Sequence, residues 1–366
     1  MKPATRKLPY TPYRGVAVSI CALAILCVSG LTAQTPQEGD FTIPNFHFSN
    51  GQQLAKLNLH YTTFGRPVRD SRGHVSNAVL ILHGTSGSGR QFLSPQFRDV
   101  LFQQGQLLDA SKYFIVLPDD IGHGKSSKPS DGLHARFPEY GYQDMVTAEY
   151  RLVTEGLHID HLRLVMGTSM GCMHSWMWGE QFPDAMDALM PLACLPAPIG
   201  GRNRIWRKML IDAIRTDPQW MQGEYQHQPP SLTTAIDMLI LAGSAPLQMQ
   251  KAAPTPQLAD EYLAHQIEQQ GKRLDANDLL YAVASSRDYD PSKDLEKIQA
   301  FVMYINSADD FINPPELGIA QQKITRVKRG RFVLLPITEE TRGHGTHTRA
   351  SVWKQYLEDL LQESAH

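Results

Sequence analysis

The sequence predicts an α/β fold, a mostly parallel sheet with helices on both faces and a helical block inserted over one end. Three observations predict it. Short, nearly continuous apolar runs recur at Ala78–Leu82, Tyr113–Leu117, Leu162–Met166, Ala188–Leu192, Phe301–Ile305 and Arg331–Leu335, each closed by Gly, Pro or Asp nearby. Such runs are how strands covered on both faces read. Amphipathic stretches such as Asp144 to Gly156 stand between them and supply crossover helices. From Gly200 to about Asp290 the strand signal vanishes, and helical, polar sequence broken at Pro229-Pro230 and Ala253-Pro254 takes its place.

Lys2, Arg6, Lys7 and Arg14 precede the apolar run Val16 to Val28 and small residues up to Ala33, so residues 1–33 read as a secretory signal cleaved near Ala33-Gln34. The apolar run is short of the ~20 residues a bilayer span needs, so no stable membrane insertion is expected after cleavage. Export to the periplasm or beyond is the expected localisation. The core begins with Phe41 to Phe64, which alternates apolar and polar around Asn50-Gly51 and predicts an antiparallel hairpin. Residues 41–199 are then the first part of the core, 200–290 an inserted cap, and 291–366 the rest of the core. Amphipathic cap helices such as Gln257 to Gln270 are expected to lie over the sheet edge and line a substrate pocket there.

Composition narrows the function classes. With 42% hydrophobic and 20% charged residues the chain is an ordinary globular protein. Its formal charge is 35 − 37 = −2, and removing the signal's four basic residues leaves 31 − 37 = −6. No basic surface is available to draw it onto nucleic acid. Cys21 and Cys27 leave with the signal, so Cys172 and Cys194 remain. They pair if the fold brings them together, and otherwise are small buried thiols, the reading favoured outside disulfide scaffolds.

Gly167-Thr168-Ser169-Met170-Gly171 lies between a strand and a helical segment, Cys172 to Gln181. A strand-to-helix turn this sharp needs small flanking residues and exposes the central side chain at the sheet edge, which suits Ser169 as nucleophile. A serine hydroxyl needs a base to take its proton and an acid to orient that base. Asp309-Asp310 follows the strand at Phe301, and Gly343-His344-Gly345 follows the strand at Arg331. The chain order fits Ser169, Asp310 and His344; Asp310 is preferred to its competitor Asp309 because a helix beginning at Pro314-Pro315 leaves a short turn after it, and His344 to its competitor His347 because the flanking glycines let its loop approach the serine closely. The Thr85 amide, in His83-Gly84-Thr85, and the Met170 amide are the expected oxyanion donors. His83 reads as a loop organiser. Asp119 to Ser126 lacks the spacing of a phosphate loop and reads as a structural turn. The acids and histidines are all accounted for by this acyl-transfer reading, so neither metal nor cofactor is expected. Met173, Trp176, Met177 and Trp178 sit at near-helical spacing and read mostly as core.

Taken together these residues resemble the α/β-hydrolases, and within them the homoserine O-acetyltransferase family. The resemblance runs from about Phe41 to the C-terminus. It is carried by Phe137 to Val146, by the serine turn with Trp178 and Phe182-Pro183-Asp184, by Ala213-Ile214 through Asp217-Pro218-Gln219-Trp220 with Gly223 and Tyr225, and by Asp275-Ala276-Asn277. It implies Ser169, Asp310 and His344 as nucleophile, acid and base, and a homodimer paired through the cap. Departures bear on the reaction. Where the family has a second Gly after the serine turn this chain has Cys172, and where it has a cap Arg for the homoserine carboxylate this chain has Ile211. Arg204, Arg207 and Arg215 lie nearby and read as solvated helix charges. Asp119 to Ser127 is similar to the loop of ordinary hydrolases. The expected activity is hydrolysis of carboxylic esters or related small acyl compounds, with acyl transfer to an alcohol as the alternative. A binding protein on the same fold would lack a triad member, and none is missing.

Overall fold

The computed structural model describes residues 1, 3, 4, 8, 9 and 35–365. Apart from those first few positions, the signal read over residues 1–33 lies outside the described residues. Eight strands form one sheet: β1 (Gln37–His47), β2 (Gln53–Phe64), β3 (Ala78–Leu82), β4 (Phe114–Pro118), β5 (Leu162–Thr168), β6 (Met186–Leu192), β7 (Phe301–Ser307) and β8 (Gly330–Leu335), in the spatial order β1-β2-β4-β3-β5-β6-β7-β8. The hairpin predicted at Asn50-Gly51 is β1–β2, turned at Gly51 with φ +86°. β2 pairs antiparallel with β4, and every pairing from β4 to β8 is parallel.

Alternation along the strands sends side chains into two cores. Leu80 and Leu82 of β3 face α2 (Tyr142–Arg151), α3 (Met170–Gln181) and α9 (Ile319–Ile324), joining Met145, Trp176 and Ile324. Val79 and Ile81 face the opposite way, toward α1 (Pro95–Leu101) and α10 (Ala350–Glu363), with Phe97, Trp353 and Leu357. Burial on both faces is why these runs are continuously apolar.

Between β6 and β7 the chain leaves the sheet for α4 (Gly201–Arg215), α5 (Ser231–Gly243), α6 (Pro246–Ala252), α7 (Pro256–Gly271) and α8 (Ala276–Ala284). Leu210, Ile214, Leu232, Ile236, Leu279 and Val283 give this block an apolar core of its own. Among the described residues no single helix is long and apolar enough to cross a membrane.

The strand order sets where chemistry can occur. From β3 the chain moves outward to β4 and then crosses back to β5 on the other side of β3. The loops after β3 and β5 therefore meet at the C-terminal edge of the sheet, the point where such folds open a crevice.

Candidate active site

At that edge β5 ends and α3 begins on Ser169, whose backbone has φ +56° and ψ −108°. The left-handed region crowds Cβ of a non-glycine residue, so the turn is strained. The flanking glycines are required by close approach. A Cβ on Gly167 would lie 1.9 Å from the Gly171 carbonyl oxygen, and one on Gly171 would lie 2.2 Å from that of Leu82. The turn is held by the Ser169 N–H donating to Leu192 O at 2.9 Å and the Gly171 N–H donating to His83 O at 2.8 Å.

The structure brings Ser169, His344 and Asp310 into one hydrogen-bonded chain. His344 Nε2 lies 2.8 Å from Ser169 Oγ, and Nδ1 lies 3.0 Å and 3.2 Å from the two Asp310 oxygens. A carboxylate facing Nδ1 fixes the proton there and leaves Nε2 free to accept from the serine hydroxyl. Asp310 is 2% exposed. Burial alone raises its carboxyl, but His344 and the donors of Asn313 outweigh burial and hold it below the usual carboxylate range. Its Oδ1 accepts from the amides of Ile312 (2.8 Å) and Asn313 (3.1 Å), and Oδ2 accepts from Asn313 Nδ2 at 3.0 Å.

The competing residues have other partners. Asp309 accepts from the Gly343 amide at 2.9 Å and from the Ser307 hydroxyl, so it anchors the loop that carries His344. His347 is partly buried, its ring centroid 5.2 Å from that of His344, and its buried Nδ1 has no hydrogen-bond partner among the described residues. Burial, then the neighbouring His344, push its imidazole down to about 3.

The loop after β3 runs against Ser169: a Cβ on Gly84 would sit 3.3 Å from Ser169 Cβ. Among the described residues no hydrogen bond engages the Thr85 or Met170 amide. His83 organises this loop, its Nδ1 donating to Gly84 O at 2.8 Å while Nε2 accepts from the Asp120 amide at 3.0 Å. The 119–126 segment is a turn. Asp119 accepts from the amides of Gly89 (2.7 Å) and Lys125 (2.8 Å), and the Ser126 hydroxyl donates to Asp119 O at 2.6 Å.

Two expectations need correction. Cys172 and Cys194 form a disulfide and are not free thiols, because the first turn of α3 and the exit of β6 bring their Cα atoms to 5.8 Å. Arg207 is not a solvated charge. It is 2% exposed, donates to Asn203 Oδ1 (2.9 Å) and Ser286 Oγ (3.2 Å), lies beside the Tyr142 hydroxyl, and makes no ion pair among the described residues. Arg215 is exposed and Arg204 half-buried, as solvated charges should be, while Met173, Trp176, Met177 and Trp178 are all buried.

Sequence reasoning missed two features. Asn313 braces the acid through its amide and its side-chain NH₂, while the Asx turn itself is closed by the Ile312 amide on Asp310 Oδ1, a turn that an Asp in a loop after a strand could have signalled. The other is a buried acid network behind the β3 loop. His174 Nδ1 lies 2.7 Å from Glu149 Oε1, Trp178 Nε1 donates to Oε2 at 2.6 Å, and Asp120 lies 3.5 Å from His83 Nε2. Asp120, Glu149 and His174 put ligand atoms within 4.8 Å of one another. Burial pushes Glu149 up to about 7, and burial with the Glu149 charge raises Asp120. Nothing in the linear sequence pairs these three positions.

Two cavities flank the site. One of about 510 Å³ lies between the β6 exit, the start of α4 and Ile312-Asn313, and one of about 520 Å³ lies between Ser86-Gly87 and Leu274, Leu279 and Ala282 of the inserted block.

A parallel sheet reversing at β3, a serine on a strained strand-to-helix turn, and an acid and a histidine from the two loops that follow β7 and β8 define an α/β-hydrolase. Residues 77–332 match the family model described as alpha/beta hydrolase fold, and the chain belongs to that family. It is similar to a probable acyltransferase of Methanothermobacter thermautotrophicus, 27% identical over 76% of this chain and 84% of the relative. It is also similar to a homoserine O-acetyltransferase of Pelobacter propionicus, 28% identical over 84% of this chain and 91% of the relative. Among solved structures, a homoserine O-acetyltransferase from Bacillus anthracis superposes with a TM-score of 0.78 at 20% identity, covering 90% of this chain and 98% of that one. An acetylester hydrolase from Corynebacterium glutamicum superposes with a TM-score of 0.76 at 20% identity over 89% and 96%. The chain is thus an enzyme of α/β-hydrolase type, similar to acyltransferases in sequence and sharing its fold with esterases as well.

Proposed function

We propose that the chain is an exported serine hydrolase of carboxylic esters and related acyl compounds. The observation that carries this reading is the hydrogen-bonded chain Ser169–His344–Asp310 beside two unengaged amides. His344 Nε2 takes the proton of Ser169 as Oγ attacks the acyl carbon, and Asp310 stabilises the imidazolium that forms. The Thr85 and Met170 N–H groups hold the developing oxyanion, each worth ~3–4 kcal/mol in such sites. His344 then protonates the leaving alcohol, and water, deprotonated in the same way, releases the acid and regenerates Ser169. Fluorophosphonate labelling, and an ester and lactone panel run on wild type and Ser169→Ala, test this. Absence of labelling, or full activity in Ser169→Ala, overturns it.

The Cys172–Cys194 disulfide supports export, since such bonds persist in oxidising compartments. Exposed Ile205 and Met209 on α4 support pairing of two copies through the inserted block, measurable by light scattering.

A second reading, transfer of the acyl group to an alcohol, is favoured by Arg207. A buried guanidinium without an acidic partner is costly and suits an acceptor that carries a carboxylate. Measuring ester product against free acid at high acceptor concentration separates the two, and an excess of free acid throughout rejects transfer.

A further inference from the structure

We propose that the Cys172–Cys194 disulfide is a positioning crosslink that holds the serine turn and the acid loop in register with each other. The inference rests on the catalytic reading of Ser169, His344 and Asp310.

Three consecutive residues at the exit of β6 touch both halves of the site. Leu192 O accepts from the Ser169 amide at 2.9 Å. Ala193 O accepts from Asn313 Nδ2 at 3.0 Å, and the same Nδ2 lies 3.0 Å from Asp310 Oδ2. Cys194 is bonded to Cys172, three residues beyond Ser169 in the first turn of α3. This segment is in turn fixed to β7, the strand that leads to Asp310, by the Ala193 amide donating to Ile305 O at 3.0 Å and the Tyr304 hydroxyl donating to Cys194 O. The result is a closed circuit: β7, Asp310, Asn313, Ala193, Cys194, Cys172, Ser169. The disulfide is its one covalent tie between segments.

Strain shows why a tie belongs there. Ser169 has φ +56° and Ala193 has φ +65°, and both carry a Cβ in the left-handed region. Each such residue persists only when its surroundings over-determine it. Here the two strained residues flank a single hydrogen bond, Ser169 N–H to Leu192 O. If either relaxes, Ser169 Oγ turns away from His344 Nε2. Each hydrogen bond can break and re-form singly as the chain fluctuates, whereas the disulfide cannot. Both cysteines are buried, at 0% and 1% exposure, so the bond is not a surface thiol pair open to exchange.

Cys172→Ala/Cys194→Ala, and Cys172→Val/Cys194→Ala to refill the sulfur volume, are compared with Leu357→Ala, a core truncation on the opposite face with the disulfide intact. At a temperature where all are folded by circular dichroism, both crosslink-free variants should lose about 10- to 100-fold in kcat and in the fluorophosphonate labelling rate, with KM within twofold. Leu357→Ala should lose melting temperature but keep kcat. Unchanged kcat in the crosslink-free variants, with only a lower melting temperature, overturns the proposal and leaves the bond a stabiliser. So does failure of both to fold, because the bond would then serve folding and not position. Ser169→Ala separates the two layers: if it stays active the catalytic reading itself fails, and if it is inactive while the crosslink-free enzyme is fully active, only this inference fails.

Discussion

Replacing Asp310 by Asn, with Asp309→Asn as its control, separates the two acids at a cost that can be worked out atom by atom. Oδ1 of Asp310 accepts from two backbone amides, Ile312 at 2.8 Å and Asn313 at 3.1 Å. Backbone amides cannot turn into acceptors, so the Asn carbonyl oxygen must occupy the Oδ1 position and the new NH₂ must take the place of Oδ2. That place faces His344 Nδ1 at 3.0 Å and also Asn313 Nδ2 at 3.0 Å, whose hydrogen bond to the acid is lost. The NH₂ donates to Nδ1, the imidazole proton moves to Nε2, and Nε2–H then points at Ser169 Oγ, which it can no longer deprotonate. A wrong tautomer of this kind costs about 10³- to 10⁴-fold in kcat, or about 4–5.5 kcal/mol, with KM nearly unchanged. Asp309→Asn is nearly silent by the same reasoning. Its carbonyl oxygen keeps the Gly343 amide, and its NH₂ donates to the Ser307 hydroxyl, which rotates to accept. Steady-state kinetics on a chromogenic ester should place Asp309→Asn within about threefold of wild type. If Asp310→Asn stays within tenfold of wild type, or Asp309→Asn is the more damaged, the assignment of the acid is wrong.

Gly171→Ala puts a Cβ 2.2 Å from Leu82 O, so strand end and helix must separate by about 1 Å to reach ordinary contact. A shift of that size should lower kcat about 100-fold, and an unchanged kcat would show that the turn is not under this constraint. Glu149, pushed up to about 7 by burial, keeps a proton in the folded chain that the unfolded chain releases above about 4.5. This part of the stability is therefore present below that value and is lost as pH rises toward 7. Denaturant midpoints from pH 5 to 8 should slope downward less in Glu149→Gln than in wild type, whatever the absolute midpoint, and equal slopes would remove Glu149 as the source. Arg207→Met should raise KM at least tenfold for a carboxylate-bearing acceptor and leave a neutral ester unaffected. Equal effects on both would show a packing role only.

The parts of this molecule that were legible in the sequence are those governed by local rules. The strands announce themselves because burial on both faces leaves no room for polar residues, so runs such as Ala78–Leu82 match their strands to within a residue or two. Ser169 is legible because the turn that presents it needs two glycines at fixed offsets, and the order of acid before histidine follows from which strand ends come next. What could not be read depends on residues far apart in the chain meeting in space. Asp309 and Asp310 are adjacent and chemically alike, and only the positions of Gly343 and His344 decide which carboxylate meets the ring. Arg207 has an ordinary helical context, and once buried it donates to Ser286, 79 residues away.

The Cys172–Cys194 bond belongs to both categories. Cys172 is where the resembling family has a glycine, which locally reads as a loss of backbone freedom just past Ser169. In space it meets the one short segment that touches Ser169 and, through Asn313, Asp310. Glycine gives a strained turn room to adopt its shape, whereas a covalent tie holds the shape once formed. A chain working in an oxidising compartment can use the second solution, and a chain confined to a reducing one cannot rely on it. The same substitution that weakens the likeness to the acetyltransferases therefore supports the export proposed above, because such a tie persists only where thiols are oxidised.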